Sequence, residues 1–181
     1  MNHCDDAVKT KMETDSLRGS SLTTVAEPEL KHIYLHPGGL YASPEPASLS
    51  IIVGSCVAVC VFNSRLSIGG ATHYLLPTSQ EQGQPSPRYG DVALRKLLHD
   101  LQQAGSKNRD LQAHIYGGAC VLRFFRGGSN ELIGDKNVRL ALELLSRESI
   151  PVVTQDTGGE KGRKIIMRTN TGAISCKLLG S

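Results

Sequence analysis

Apolar residues along this 181-residue chain concentrate in one stretch, SIIVGSCVAVCVFNSRLSIGGATHYLLP, which fills positions 50–77. Within it Val57, Val59 and Val61 alternate with Cys56, Ala58, Cys60 and Phe62. A period of two gives a strand with two distinct faces. Residues 50–53 read as a short buried strand, and Gly54-Ser55 as a bend or bulge ahead of the alternating strand. Asn63-Ser64-Arg65 is turn chemistry. Positions 66–76 supply a return strand in which Gly69-Gly70 permits a kink before Pro77. The stretch therefore predicts a β-hairpin. Centred near Ser64, it sets Cys56 opposite residue 72 or 73, and directly opposed residues bring their Cβ atoms to about 4.5–5.5 Å. His73 becomes the expected cross-strand neighbour of Cys56.

Other patterns fill in the rest. Residues 1–30 mix charged and small polar positions without a sustained period and read as a disordered tail; residues 31–181 form a single domain. Positions 31–35 alternate weakly as a first strand, His36-Pro37-Gly38-Gly39 turns the chain, and 41–48 reads as a Pro- and Ser-containing loop. Leu94, Leu97, Leu98 and Leu101 recur at helical spacing, so a helix is expected from a cap at Asp91 to position 104, with Gly105 at C′. A second helix, capped by Asp135, buries Val138, Ala141, Leu142 and Leu145. Strands are expected at 112–116 and 150–154, and a closing hairpin at 164–168 and 173–178 around Asn170-Thr171-Gly172. Runs of strands around two main helices give an α+β layered sandwich with mixed or mostly antiparallel sheets.

Composition narrows the function class. With 39% hydrophobic and 20% charged residues the chain fits a soluble globular domain. Its formal charge of +3 is carried by scattered basic residues without interleaved aromatics, which argues against nucleic acid as a partner. Positions 1–21 lack the apolar core of a secretory signal, and the run at 51–62 is too short and too broken for membrane insertion. The expectation is a cytoplasmic protein. Five cysteines, Cys4, Cys56, Cys60, Cys120 and Cys176, lie scattered with no CxxC pair, so neither a disulfide framework nor a metal site is expected, and no cofactor is called for.

The chemistry then rests on the hairpin. A thiol near pKa 8.5 is mostly protonated at neutral pH, and an adjacent imidazole can take its proton. A lone Cys or His in an apolar strand is more often a core residue; the predicted adjacency of Cys56 and His73 is what favours a nucleophile and its base. Such a pair predicts thiol reactivity well below pH 8. Ser50, on the incoming strand, is the nearest polar group able to orient the imidazole. The Gly54-Ser55 bend leaves room for substrate and frees the Cys56 N–H as an oxyanion donor. Cys60, Cys120 and Cys176 are assigned to the core.

Six ordered blocks now carry a resemblance: GSCVAVCVF at 54–62, IGGATHYLLP at 68–77, RYGD at 88–91, HIYGGA at 114–119, IGDKN at 133–137 and DTGGEKGRK at 156–164. Together they resemble the chemoreceptor glutamine deamidases of the CheD family. The resemblance implies a catalytic cysteine, a histidine seventeen positions on, and a hydroxyl residue six positions before the cysteine, which fall on Cys56, His73 and Ser50. The family hydroxyl is typically threonine. It also implies conversion of glutamine side chains to glutamate on methyl-accepting chemotaxis receptors through a thioester, a fold related to deamidating cysteine-hydrolase toxins, and a CheC-type phosphatase as partner. The competing expectation is a non-enzymatic adaptor that binds receptors or that phosphatase and keeps Cys56 buried and unreactive.

Overall fold

The computed structural model describes residues 30–79, 85–120 and 132–180. The expected N-terminal tail lies outside these residues, apart from Leu30. Nine strands and two long helices follow one another as β1 (Lys31–Tyr34), β2 (Leu40–Ala42), β3 (Ala47–Val53), β4 (Val57–Asn63), β5 (Ile68–Tyr74), α1 (Gly90–Gln103), β6 (Leu111–Gly117), α2 (Ile133–Arg147), β7 (Val152–Thr157), β8 (Arg163–Arg168) and β9 (Ile174–Leu178).

The strands form two sheets. The outer sheet has the order β1-β3-β8-β9 and the central sheet the order β2-β5-β4-β6-β7. One pair in each sheet is parallel, β1 with β3 and β6 with β7, and the others are antiparallel. The architecture is the expected layered α+β sandwich: outer sheet, central sheet, then the helix pair.

Burial follows from this layering. Alternate residues of β4 serve two cores, which is why its sequence is apolar throughout. Val57, Val59 and Val61 pack with Leu94, Leu97 and Leu101 of α1 and Val138, Ala141 and Leu145 of α2. Ala58 and Cys60 pack with Leu49, Ile51 and Val53 of β3 and Ile165 and Met167 of β8. The outer sheet buries one face only, so β8 alternates buried and exposed positions along its whole length.

Several local expectations are corrected. The hairpin turn spans residues 64–67, with Ser67 at φ 55°. Asn63 organises it: its buried Oδ1 accepts from the N–H groups of Arg65 (3.0 Å) and Leu66 (3.2 Å). This Asx-type turn is longer than one centred on Ser64, so β4 and β5 pair in a different register, and His73 lies opposite Ala58. The 41–48 segment is not one loop, because β2 ends at Ala42 and β3 begins at Ala47. Neither Asp91 nor Asp135 is an N-cap. Tyr89 and Leu132 hold those positions without side-chain cap bonds, and the two carboxylates sit in the first turn, where the helix dipole favours them.

Candidate active site

Between β3 and β4 the chain passes from the outer to the central sheet, and Gly54, Ser55 and Cys56 make that passage. Each of their carbonyls is held. Gly54 O accepts from Ala119 N at 2.7 Å, and Cys56 O from Gly118 N at 2.9 Å. Ser55 O accepts from the Asn137 side chain at 3.2 Å. The donors come from the end of β6 and the first turns of α2. Gly117, at φ 112°, lets β6 approach this closely; a Cβ there would overlap the Cys56 carbonyl oxygen. Cys56 itself is half-buried, and among the described residues its N–H finds no acceptor besides its own sulfur.

His73 is set from the other side. It is 1% exposed, and its main chain is fixed by His73 N to Gly39 O (2.9 Å) and Gly38 N to His73 O (2.7 Å). The ring Nδ1 lies 3.0 Å from Leu35 O. A carbonyl only accepts, so Nδ1 carries the proton and the lone pair of the neutral ring is on Nε2. Nε2 is buried and, among the described residues, without a hydrogen-bond partner. This is the tautomer a base needs.

His73 lies opposite Ala58 on the face that looks toward the outer sheet, and Cys56 sits in the bend just before β4, two residues before Ala58. The pair is thus diagonal rather than directly opposed. Diagonal neighbours lie about 7–8 Å apart, within reach of a histidine ring. No hydrogen bond joins the thiol to Nε2. Burial pushes the Cys56 thiol up, partly offset by its own backbone N–H. Burial pushes His73 down, partly offset by the Leu35 carbonyl. Both shifts favour the neutral thiol and neutral imidazole, against the thiol reactivity well below pH 8 expected from the sequence.

Ser50 stands elsewhere. Strand alternation puts its side chain with Ser48 and Ile52, on the β3 face opposite Leu49 and Ile51. Its hydroxyl is not a partner of either His73 nitrogen. Ser50 contributes through its main chain: Ser50 O accepts from Leu35 N at 2.9 Å, and Leu35 O in turn accepts from His73. The orienting acceptor is the Leu35 carbonyl.

Asn137 was not anticipated as a site residue. It is fully buried, and its side-chain N–H groups reach Leu75 O at 2.8 Å as well as Ser55 O. The signal was an Asn on the apolar stripe of a helix, one position before Val138; asparagine is a poor helix former and seldom fully buried without a purpose. Cys60 is in the core, its thiol pushed up to about 12 by burial. Cys120 is half-buried and Cys176 exposed, contrary to expectation, because Cys176 lies on β9 at the edge of the outer sheet.

A family model described as CheD chemotactic sensory transduction matches residues 75–178, more than half of the chain. The chain belongs to the CheD family. The stretch matched by the CheD model takes in Gly117, Gly118 and Asn137 and begins just after His73. Longer likenesses extend to whole CheD proteins. A probable chemoreceptor glutamine deamidase CheD of Sulfurimonas denitrificans is 37% identical over 149 residues, covering 82% of this chain and 95% of that protein. A CheD 1 of Anaeromyxobacter dehalogenans with the same designation is 43% identical over 141 residues, covering 78% and 81%. A CheD of Rhodospirillum rubrum is 40% identical over 148 residues, covering 82% of each chain.

Proposed function

We propose that this protein hydrolyses the side-chain amide of glutamine on chemoreceptors, releasing ammonia and leaving glutamate. The observation that carries the reading is His73: its Nδ1–H is committed to Leu35 O while Nε2 stays unpartnered, diagonal to a half-buried cysteine on a bend. The names borne by the relatives supply the substrate class.

The geometry supports the following chemistry. Cys56 Sγ attacks the carboxamide carbon as His73 Nε2 takes the thiol proton. Because thiol and imidazole both start neutral, proton transfer accompanies attack. The carbonyl oxygen becomes an oxyanion, and the Cys56 N–H stabilises it. His73 then returns the proton to the departing nitrogen, and ammonia leaves a thioester. Water, deprotonated by His73, attacks that thioester; the thiolate leaves and is reprotonated, and glutamate is released. A receptor helix so modified gains a negative charge. On this reading the reaction is a cytoplasmic one, and a CheC-type phosphatase is the partner that the family resemblance adds.

The test is mass spectrometry of a chemoreceptor fragment incubated with the protein. The expected result is the mass gain of an amide-to-acid exchange at glutamine, absent with Cys56→Ala and lowered about 10²–10⁴-fold with His73→Ala. A gain that survives Cys56→Ala, or no gain on any receptor of the same organism, would sink the proposal.

A further inference from the structure

We infer that Asn137 is a positioning residue that aims the oxyanion-binding N–H of Cys56. The inference rests on the reading of Cys56 as nucleophile. A peptide unit is planar and trans, so its C=O and N–H point in opposite directions. The carbonyl of Ser55 and the N–H of Cys56 belong to one such unit. Asn137 holds that carbonyl from the helix side at 3.2 Å, which turns the Cys56 N–H away from α2. The neighbouring units are fixed in the same way, by Ala119 N on Gly54 O and Gly118 N on Cys56 O. Of the three clamps, only the Asn137 one is a side chain, and it holds the unit whose N–H meets the substrate oxygen.

The same amide also steadies the base. Its second N–H bonds Leu75 O at 2.8 Å, two residues beyond His73 on the same chain segment. The main-chain carbonyl of Asn137, not its side chain, accepts from Tyr74 Oη at 2.6 Å, between those two residues. One buried side chain therefore ties the nucleophile bend and the end of β5 to a single turn of α2. The orientation of the amide is not arbitrary. Turned over, Oδ1 would face two carbonyl oxygens, and both acceptors would lose their donor. As placed, Oδ1 is buried without a partner among the described residues. That arrangement leaves one acceptor unsatisfied so that two donors can be used, as a positioning role requires.

Two small probes separate this role from simple support of the fold. Acylation of Cys56 by p-nitrophenyl acetate passes through a tetrahedral oxyanion before p-nitrophenolate leaves. Alkylation by iodoacetamide displaces iodide at a saturated carbon and forms no oxyanion. Both are read at Cys56 by peptide mass spectrometry of the whole protein. In Asn137→Leu, of similar volume but without donors, the acylation rate is expected to fall at least tenfold, toward the roughly 10²-fold cost of one oxyanion donor. The alkylation rate stays within about threefold of wild type, because that displacement develops no oxyanion for the Cys56 N–H to hold. Should Asn137→Leu fail to fold, Asn137→Ala is measured in the same way. A ratio of the two rates equal to that of wild type overturns the inference, whether both persist or both fall together. Normal acylation by the wild-type protein, with every receptor glutamine left intact, would instead overturn the deamidase reading and leave the positioning role standing.

Discussion

Adding one methyl group at Gly117 tests whether the Cys56 bend is held as tightly as its hydrogen bonds imply. Gly117 has φ 112°, where an L-residue pays about 1–2 kcal/mol. A Cβ there would also overlap the Cys56 carbonyl oxygen, a backbone atom that cannot swing aside as a side chain would. Relief requires the bend to retreat, which breaks the 2.9 Å bond from Gly118 N, worth about 1 kcal/mol. Gly117→Ala should thus lose about 2–3 kcal/mol of stability, or roughly 4–12 °C in Tm at 2–4 °C per kcal/mol for a chain of this size. Gly105 is the matched control. It follows α1 at φ 94°, and a Cβ there meets only Leu66 Cδ1 at 3.8 Å. Gly105→Ala should pay the backbone term alone, about 1–2 kcal/mol. The two variants part company in catalysis. A nucleophile displaced on the order of 1 Å can lose about 10²-fold in kcat, whereas Gly105→Ala should deamidate at close to the wild-type rate. The assay is receptor deamidation at saturating fragment, with thermal unfolding of each variant to fix the temperature at which it is folded. A Gly117→Ala enzyme with wild-type kcat would refute the claim that the Cys56 carbonyl must stay where it is.

Two further predictions concern the pair and its support. His73 must be neutral to act as base, and burial holds it below its ordinary 6.5, so activity should persist as pH falls to 6.5 and decline only below that. Burial also holds the Cys56 thiol above its ordinary 9.0, so its alkylation by iodoacetamide should climb roughly tenfold per pH unit through neutrality without a plateau; an inflection below pH 7 would reveal a preformed ion pair and contradict the geometry. Ser50→Ala removes a hydroxyl that does not bond His73 and keeps the carbonyl that holds Leu35 N, so kcat should stay within about threefold of wild type; a loss above tenfold would restore the hydroxyl to the site.

The parts of this molecule that can be read from sequence are those fixed by local periodicity. Alternation along β4 separates the two cores correctly, because each residue of a central strand faces one layer or the other. Leucine spacing locates α1 for the same reason. The register of the hairpin was harder, since it depends on how many residues the turn consumes. Asn63 settles that count by accepting two N–H groups across the turn while anchoring itself to Ser106, 43 positions away, at 3.0 Å. No property of residues 63–65 alone reveals the second anchor.

Ser50 shows where proximity in sequence misleads. Six residues upstream of Cys56, it looks like a neighbour of His73 only if β3 and β4 belong to one sheet. They do not: the bend at 54–56 carries the chain between layers, and what reaches His73 from the outer sheet is the main chain of residue 35, steadied by its bond to Ser50 O. A backbone carbonyl can be supplied by almost any residue, so Leu35 leaves no trace in composition or motif. Asn137 is the opposite case. A carboxamide on the buried stripe of a helix conflicts with both helix propensity and core polarity. Such a conflict is tolerable only where it is put to use, and here the amide N–H groups hold the carbonyls of Ser55 and Leu75. Of the groups around Cys56 and His73, those acting through side chains left a mark in the sequence, and those acting through the main chain required the fold.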